Sequence, residues 1–325
     1  MKNIAIIGAG QLGSRHLQAL VHVQKKINIQ VVDSSEDSLK TAEMRFNEVS
    51  ENFKGTISFH TNISFLEKKL DVVIVATNSK VRRSVVDQLV NHSKIEYLIL
   101  EKFLFINEQD YFYTEKLFAE KNIKVWVNCP RRLIDFYRKI QKEIIGPIHF
   151  FATGNAWGLG CNGIHLLDLF AFLTKSNNIV LSSQLINKEV IESKRSGYIE
   201  FTGTITGYAD ENSFHITSFP QDVSPLHIII NTPKVRFSIS EGATSNVWIS
   251  KLENNWAWEE TTFKIPFQSQ LTNMVVDDLL ENGSCNLTSF KESSTLHLTF
   301  LRNLISFLRI ININNNNSII ECPIT

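Results

Sequence analysis

At 325 residues the chain is long enough for two domains, each burying its own core. Its 33 basic and 33 acidic residues cancel, so it has no net basic field to attract polyphosphate backbones, and a nucleic-acid partner is not expected. Cys129, Cys161, Cys285 and Cys322 lie far apart and form no CxxC pair, which argues against a metal site and a disulfide framework and for a reducing compartment.

A first strand is predicted at residues 3–7, and its apolar run is too short and too soon broken by glycine for a signal peptide. A cytoplasmic protein is expected. Further strands are predicted at 29–33, 56–60, 71–77, 97–102 and 123–128, alternating with helical patterns. Leu17, Leu20 and Val21 share one helical face, and Leu39, Ala42 and Phe46 another; Ser34 with Asp37 resembles an N-cap for the second helix. Such alternation predicts a doubly wound parallel sheet with helices on both faces.

Beyond about residue 128, strand-like segments follow one another at 149–153, 198–205, 214–218, 226–231, 235–240, 247–252 and 261–265, which predicts a mainly antiparallel sheet. Phe201, Gly203 and Ile205 alternate with Glu200, Thr202 and Thr204, so the former are expected on a buried face and the latter on a wetter one. Helices return at 269–281 and 289–308. The greasy stretch 296–311 carries Arg302, Asn303 and Arg309, so it reads as amphipathic and no membrane span is expected. The Asn-rich tract 312–317 reads as a turn or connector. The expected architecture is α/β: an N-terminal Rossmann doubly wound parallel sheet over 1–125 that binds NAD(P), and a C-terminal α+β domain over 126–325. The second domain carries a large, mainly antiparallel open sheet for substrate binding and oligomerisation.

Gly8-Ala9-Gly10-Gln11-Leu12-Gly13 follows the first strand and opens a helix, which is the context a GxGxxG dinucleotide motif requires. The first glycine permits the turn, the second admits the diphosphate to the backbone, and the third lets the helix pack close. Asp33, 20 residues beyond Gly13, is placed to accept from a ribose hydroxyl and to repel a 2′-phosphate, while Ser34 and Ser35 offer no cationic clamp. NAD is therefore expected over NADP. Ala76, Thr77 and Asn78 close the fourth strand, and Glu101 and Lys102 the fifth, at the carboxyl edge where an α/β sheet meets its cofactor. The cofactor-binding set is thus Gly8, Gly10, Gln11, Leu12, Gly13, Asp33, Ala76, Thr77, Asn78, Glu101 and Lys102.

GAGQLGSRH at 8–16, VVIVATNS at 72–79, LEKFL at 100–104 and GLGCNGIHLLDLF at 158–170 together resemble the Gfo/Idh/MocA oxidoreductases, a family that includes glucose-fructose oxidoreductase and inositol dehydrogenase. The resemblance runs over nearly the whole chain. It matches the family's Glu-Lys-Pro motif to Glu101-Lys102 with Phe103 in place of proline, a change expected to alter the turn. It implies that Lys102 holds the reacting hydroxyl or carbonyl beside the nicotinamide. A second family signature sets an Asp four residues before a His: His165 matches the histidine, but Cys161 stands at the Asp position and cannot supply its charge. Asn162 contacts substrate only on a shifted alignment. Asp168 matches a family position and reads as packing support for the helix. Asn128, Arg131 and Arg132 fall in a region that lines the family's substrate pocket, either arginine being able to grip a carboxylate or phosphate. Arg82 stands where many members carry histidine.

The resemblance implies hydride transfer between nicotinamide and a hydroxyl-bearing carbon of a sugar, cyclitol or nucleotide-sugar, with Lys102 and His165 catalytic. Asn128, Arg131, Cys161, Asn162 and His165 would meet the substrate. Residues 157–170 and the closing CPIT are similar to a subgroup associated with surface-polysaccharide sugar pathways. Two alternatives stand beside this reading: a dinucleotide-binding sensor without turnover, and an internal-redox lyase or epimerase holding NAD tightly. A homodimer or homotetramer through the C-terminal sheet is expected.

Overall fold

The structure, a computed structural model, describes residues 1–311 and 319–325; the predicted connector at 312–317 lies outside the described residues. The chain opens with β1 (Lys2–Ile7), α1 (Gln11–Leu20), β2 (Ile27–Val32), α2 (Glu36–Asn47), β3 (Thr56–His60) and β4 (Lys69–Val75). It continues with α3 (Ser79–His92), β5 (Lys94–Leu100), α4 (Glu108–Glu120), β6 (Lys124–Val127), α5 (Asp135–Glu143), β7 (His149–Asn155) and α6 (Leu159–Thr174). Strands β8 (Val180–Ile186), β9 (Ile191–Glu192), β10 (Ile199–Glu200), β11 (Gly203–Ala209), β12 (Asn212–Phe219) and β13 (His227–Asn231) follow. The last elements are β14 (Val235–Ser240), β15 (Thr244–Lys251), β16 (Trp258–Lys264), α7 (Thr272–Asn282), β17 (Thr288–Ser289) and α8 (Phe290–Ile311).

Two compact units result, and they are not the contiguous stretches 1–125 and 126–325 read from the sequence. The first comprises Met1–Phe105, Gln109–Pro130 and Pro266–Lys291; the second takes Ile106–Glu108, Arg131–Ile265 and Glu292–Thr325. The chain returns to the first unit because β17 adds antiparallel to β6 and α7 packs against α1.

The first unit carries a seven-stranded sheet in the order β17-β6-β5-β4-β1-β2-β3, parallel except at β17. Order reverses between β1 and β4, the switch point at which open α/β sheets bind ligands. Central strands covered on both faces need apolar residues on both, and Ile4, Ala5, Ile6, Val72, Val73 and Ile74 are all fully buried. The cap of α2 is Ser35, whose hydroxyl accepts from Ser38 N–H, rather than the predicted Ser34. Asp33 claims the turn just before it by accepting from Ser35 N–H at 2.8 Å, which shifts the helix start by one residue.

The second unit is built on an eight-stranded sheet, β16-β15-β14-β13-β7-β12-β11-β8, antiparallel except where β12 runs parallel to β7. One face is core: Ile230, Phe150 and Phe214 form a buried cross-strand row, and α6 covers it with Phe170 packed against Phe150 and Phe214. The opposite face is half-open, as the row Ile229, Phe151 and His215 illustrates. The strand predicted at 198–205 is two strands. β10 pairs with β9 in a separate ladder and β11 joins the large sheet. Glu200 and Thr202, expected on a wetter face, are buried. Phe201 N–H is held at 2.9 Å by the Glu200 carboxylate instead of a neighbouring strand, which ends the first ladder. No helix among the described residues is long and apolar enough to cross a membrane, and none of their His, Cys, Asp and Glu side chains group as a metal site.

Candidate cofactor and catalytic sites

β1 delivers the chain to Gly8 at φ +97, a conformation L side chains resist, and a Cβ there would also meet Ala76 C and Thr77 N at 3.0 Å. Ala76 N–H donates to Ile7 C=O at 2.8 Å, so the loop after β4 lies directly against the glycine turn. At Gly13 a Cβ would fall 1.8 Å from Gly8 O, whereas at Gly10 it would meet nothing within 4 Å. The first and third glycines are therefore required by the fold, and the second leaves open approach to the backbone. Among the described residues no side chain caps the first turn of α1, and no acidic residue sits in it. That leaves its N–H groups and the positive end of the helix dipole for an anion. The cradle fits a dinucleotide diphosphate.

Asp33 is fastened beside this cradle, its Oδ2 accepting from Ala9 N–H at 2.7 Å and its Oδ1 from Ser35 N–H at 2.8 Å. Each carboxylate oxygen keeps lone-pair capacity for a ribose hydroxyl. Gln11 is exposed and Leu12 half-buried at the start of α1. Arg45 of α2 reaches over to donate to Gln11 Oε1 at 2.8 Å and Ser14 Oγ at 2.6 Å, a neighbour the motif does not announce. Asn78 spends its side chain on capping α3, accepting from Val81 N–H.

At the carboxyl end of β5, the turn bearing Glu101 and Lys102 is held from two sides. Glu101 is buried, and its Oε1 accepts from His16 Nε2 at 2.9 Å and from Asn128 Nδ2. His16 Nδ1 pairs with Thr272 Oγ1 at 2.8 Å, and Gln268 links Asn128 and Thr272, each at 2.9 Å. On the other side Arg82, only 1% exposed, donates to the carbonyls of Phe103, Leu104 and Thr77. It thereby ties the turn to the loop after β4. The Lys102–Phe103 peptide is cis. Lys102 itself is half-buried. Neither His16 nor the re-entrant Gln268 and Thr272 figured in the sequence reading. The signal for His16 was a titratable residue one turn into a helix whose neighbours Leu17, Ala19 and Leu20 are core.

In the second unit α6 brings Cys161, Asn162 and His165 onto its first two turns. Its N-cap is Gly158 at φ +82, which offers no side chain, and the buried Glu200 carboxylate supplies the missing acceptor. Glu200 accepts from Gly160 N–H and, at 3.1 Å, from Cys161 N–H. Cys161 Sγ and Glu200 Oε2 crowd one point: a Cβ on Gly158 would stand 2.7 Å from the first and 3.0 Å from the second. Asn162 donates its amide to Trp157 C=O at 2.6 Å. Asp168, 1% exposed, accepts from Arg132 Nε at 2.8 Å, and Arg132 Nη2 also meets Glu292 at 2.8 Å. Burial opposes the Arg132 charge, but its two carboxylates raise its pKa above the ordinary value. Arg131 grips Glu241 two-pronged, at 3.1 and 2.6 Å, and Glu241 also accepts from the buried Tyr137 hydroxyl at 2.7 Å. Both arginines thus have carboxylate partners within their own unit. Lys102 belongs to the first unit with the glycine cradle, and His165 to the second.

Residues 2–129 match the model of an oxidoreductase family with an NAD-binding Rossmann fold, GFO_IDH_MocA. No curated protein matches the chain. Among solved structures, an oxidoreductase from Agrobacterium radiobacter, in complex with NAD+, L-tartaric acid and magnesium, is similar at TM-score 0.71 and 15% identity. That likeness covers 92% of this chain and 94% of that one. UDP-N-acetylglucosamine 3-dehydrogenase GnnA from Acidithiobacillus ferrooxidans is similar at TM-score 0.70 and 10% identity, over 92% and 95% of the two chains. A super-repressor mutant of Gal80p from Saccharomyces cerevisiae is similar at TM-score 0.69 and 13% identity, over 94% and 96%. At these identities the likeness is one of fold.

Proposed function

We propose that the chain, whose residues 2–129 match the model of the Gfo/Idh/MocA oxidoreductase family with its NAD-binding Rossmann fold, is an NAD-dependent dehydrogenase. Its substrate in this reading is a hydroxyl-bearing carbon of a sugar, cyclitol or nucleotide-sugar, the last fitting a role in surface-polysaccharide metabolism. NAD, when bound, supplies the hydride acceptor.

The chain's own groups would supply position and proton traffic. The open backbone at Gly10 and the uncapped amides of α1 would hold the diphosphate, and Asp33 a ribose. A 2′-phosphate brought against a carboxylate already fixed by two backbone amides would meet a charge that cannot swing away. Lys102 would donate to the substrate oxygen and stabilise the negative charge that develops there, and His165 would carry the proton. Asn128, Arg131, Cys161 and Asn162 remain candidate substrate contacts, Asn128 and Arg131 through whatever hydrogen-bonding capacity Glu101 and Glu241 leave them. The observation that supports this reading best is the fastening of the Glu101-Lys102 turn by His16, Asn128 and Arg82, since electrostatic help to a reacting atom depends on a donor that does not wander.

The test is NADH formation by purified protein over a panel of sugars, cyclitols and nucleotide-sugars. On the substrate so identified, Lys102→Met is expected to lower turnover about 100- to 10,000-fold while NAD+ affinity is kept. Full turnover in that variant would sink the lysine assignment. Conversion without net NADH would indicate internal redox. Binding of NAD+ with no conversion would favour the sensor reading, to which Cys161 in place of a carboxylate lends its support. We also propose that the half-open face of the second unit's sheet pairs with its twin in a homodimer or homotetramer.

A further inference from the structure

The parallel strands of the first unit's sheet all begin at one edge, opposite the edge that carries the glycine turn. At that amino edge a ladder of side chains crosses four neighbouring strands. Asp71 of β4 accepts from two groups of β1, Lys2 Nζ at 2.7 Å and Asn3 N–H at 2.8 Å. Asn3 Oδ1 accepts from Asn28 Nδ2 of β2 at 3.2 Å, and Asn28 Oδ1 from Thr56 Oγ1 of β3 at 2.7 Å. Asn3 also donates its amide to Lys69 C=O at 3.1 Å. At the rim of this ladder stand Lys69, the first residue of β4, Lys26, just before β2, and Lys54, just before β3. Lys26 and Lys54 lie equally far before the register pair Asn28 and Thr56, so they are neighbours across the two strands.

Two adjoining recesses open here and share Lys25 and Lys26. One, of about 480 Å³, is lined also by Lys2, Lys69 and Asp71, and the other, of about 320 Å³, by Lys54 and Phe53. Asp71 is the single carboxylate lining either, and it is already taken by Lys2 and Asn3. Lys25 is spent on Leu280 C=O at 2.6 Å. Lys26, Lys54 and Lys69 are exposed, and among the described residues their ammonium groups have no hydrogen-bond or ion-pair partner. The exposed Glu51, Glu67 and Glu96 belong to the same edge but line neither recess. An ammonium is a compact point charge suited to phosphate oxygens, and neither recess has an arginine, whose planar fork would suit a carboxylate. In the order β4-β1-β2-β3 the strands of Lys69 and Lys54 are three steps apart, roughly 14 Å at the backbone and farther than one phosphate group extends. We propose that this amino edge binds a small molecule carrying two or more phosphate groups, at a site separate from the glycine cradle. The inference does not depend on the dehydrogenase reading.

The probe is inorganic tripolyphosphate, titrated calorimetrically into the full chain at low salt, with and without NAD+. Lys26→Gln, Lys54→Gln and Lys69→Gln are each expected to weaken it about threefold, and the three together about thirtyfold. The ligand-free melting temperature should not change, because the side chains altered are exposed. Affinity should fall steeply as salt is raised, and NAD+ should leave it as it is. Displacement by NAD+ would put the probe in the glycine cradle and overturn the site. So would a wild type that does not bind, or a triple variant within twofold of it. Lys40→Gln, Lys116→Gln and Lys188→Gln together remove as much charge from exposed positions elsewhere, and an equal loss there would reduce the effect to net charge. Binding to phosphatidylglycerol vesicles without binding of tripolyphosphate would overturn the small-molecule site and assign this edge to a lipid surface instead.

Discussion

Gly10 and Gly13 differ by three positions and are identical in chemistry, yet they answer to different constraints. A methyl at Gly13 would collide with Gly8 O at 1.8 Å, so Gly13→Ala is expected to cost about 1–3 kcal/mol of stability in denaturant titration. A methyl at Gly10 meets nothing within 4 Å, so Gly10→Ala should melt with the wild type and bind NAD+ about tenfold more weakly. Unchanged affinity in Gly10→Ala would mean that the diphosphate does not rest there. The placement of the glycine motif, Asp33 and the Glu101-Lys102 pair at strand ends was legible in the sequence because each is local, a few residues beyond an apolar run. His16, Gln268 and Thr272 were not, because what they do depends on partners far along the chain: His16 serves Glu101, and Thr272 meets His16 across more than two hundred residues. Arg82 was noted only by its position in the resemblance, and its grip on the Phe103 and Leu104 carbonyls is visible only in the fold. Arg131 and Arg132 read as open anion grips until Glu241, Asp168 and Glu292 are seen beside them.

Among the elements, α6 shows how a helix start without a capping side chain is completed. Its first turn is capped from outside by Glu200, so a carboxylate already lies against Cys161, the residue that the resemblance matches to an Asp. Cys161→Asp would put a second anion in the same confined space. It is expected to lower stability by about 1–2 kcal/mol, and the penalty should shrink when Glu200→Gln is added. A double-mutant cycle followed by denaturant titration measures the coupling; additive effects would show that the two groups do not feel each other. Most strands were foreseen to within a few residues because alternation and continuous apolar runs mark them directly. The edge strand β8 was missed, since Val180, Gln184 and Leu185 are exposed and no buried stripe distinguishes it. The break between β10 and β11 was hidden for a related reason: Glu200 has the composition of a surface position and the burial of a core one.

For the molecule as a whole, the half-open row Ile229, Phe151 and His215 is where twin sheets would meet. Sedimentation of the wild type should show a dimer or tetramer, and Phe151→Glu or Ile229→Glu should yield monomers, because a charge desolvated in such a contact has no partner. A wild type that sediments as a monomer would end that proposal. The doubly wound sheet and the broad antiparallel one were both recognisable beforehand from how strands and helices alternate along the chain. The division into units was not, because Pro266–Lys291 looks like any other helix and loop until it is found beside α1 and β6. That return has a consequence for synthesis. While the ribosome is still making the middle of the chain, the β6 border of the nucleotide-binding sheet stands unzipped, and it stays so until Ser289 has emerged. The glycine motif, made well before Ser289, therefore belongs to a layer that is finished late, and a nascent chain halted between the two would display a bare strand border to its neighbours.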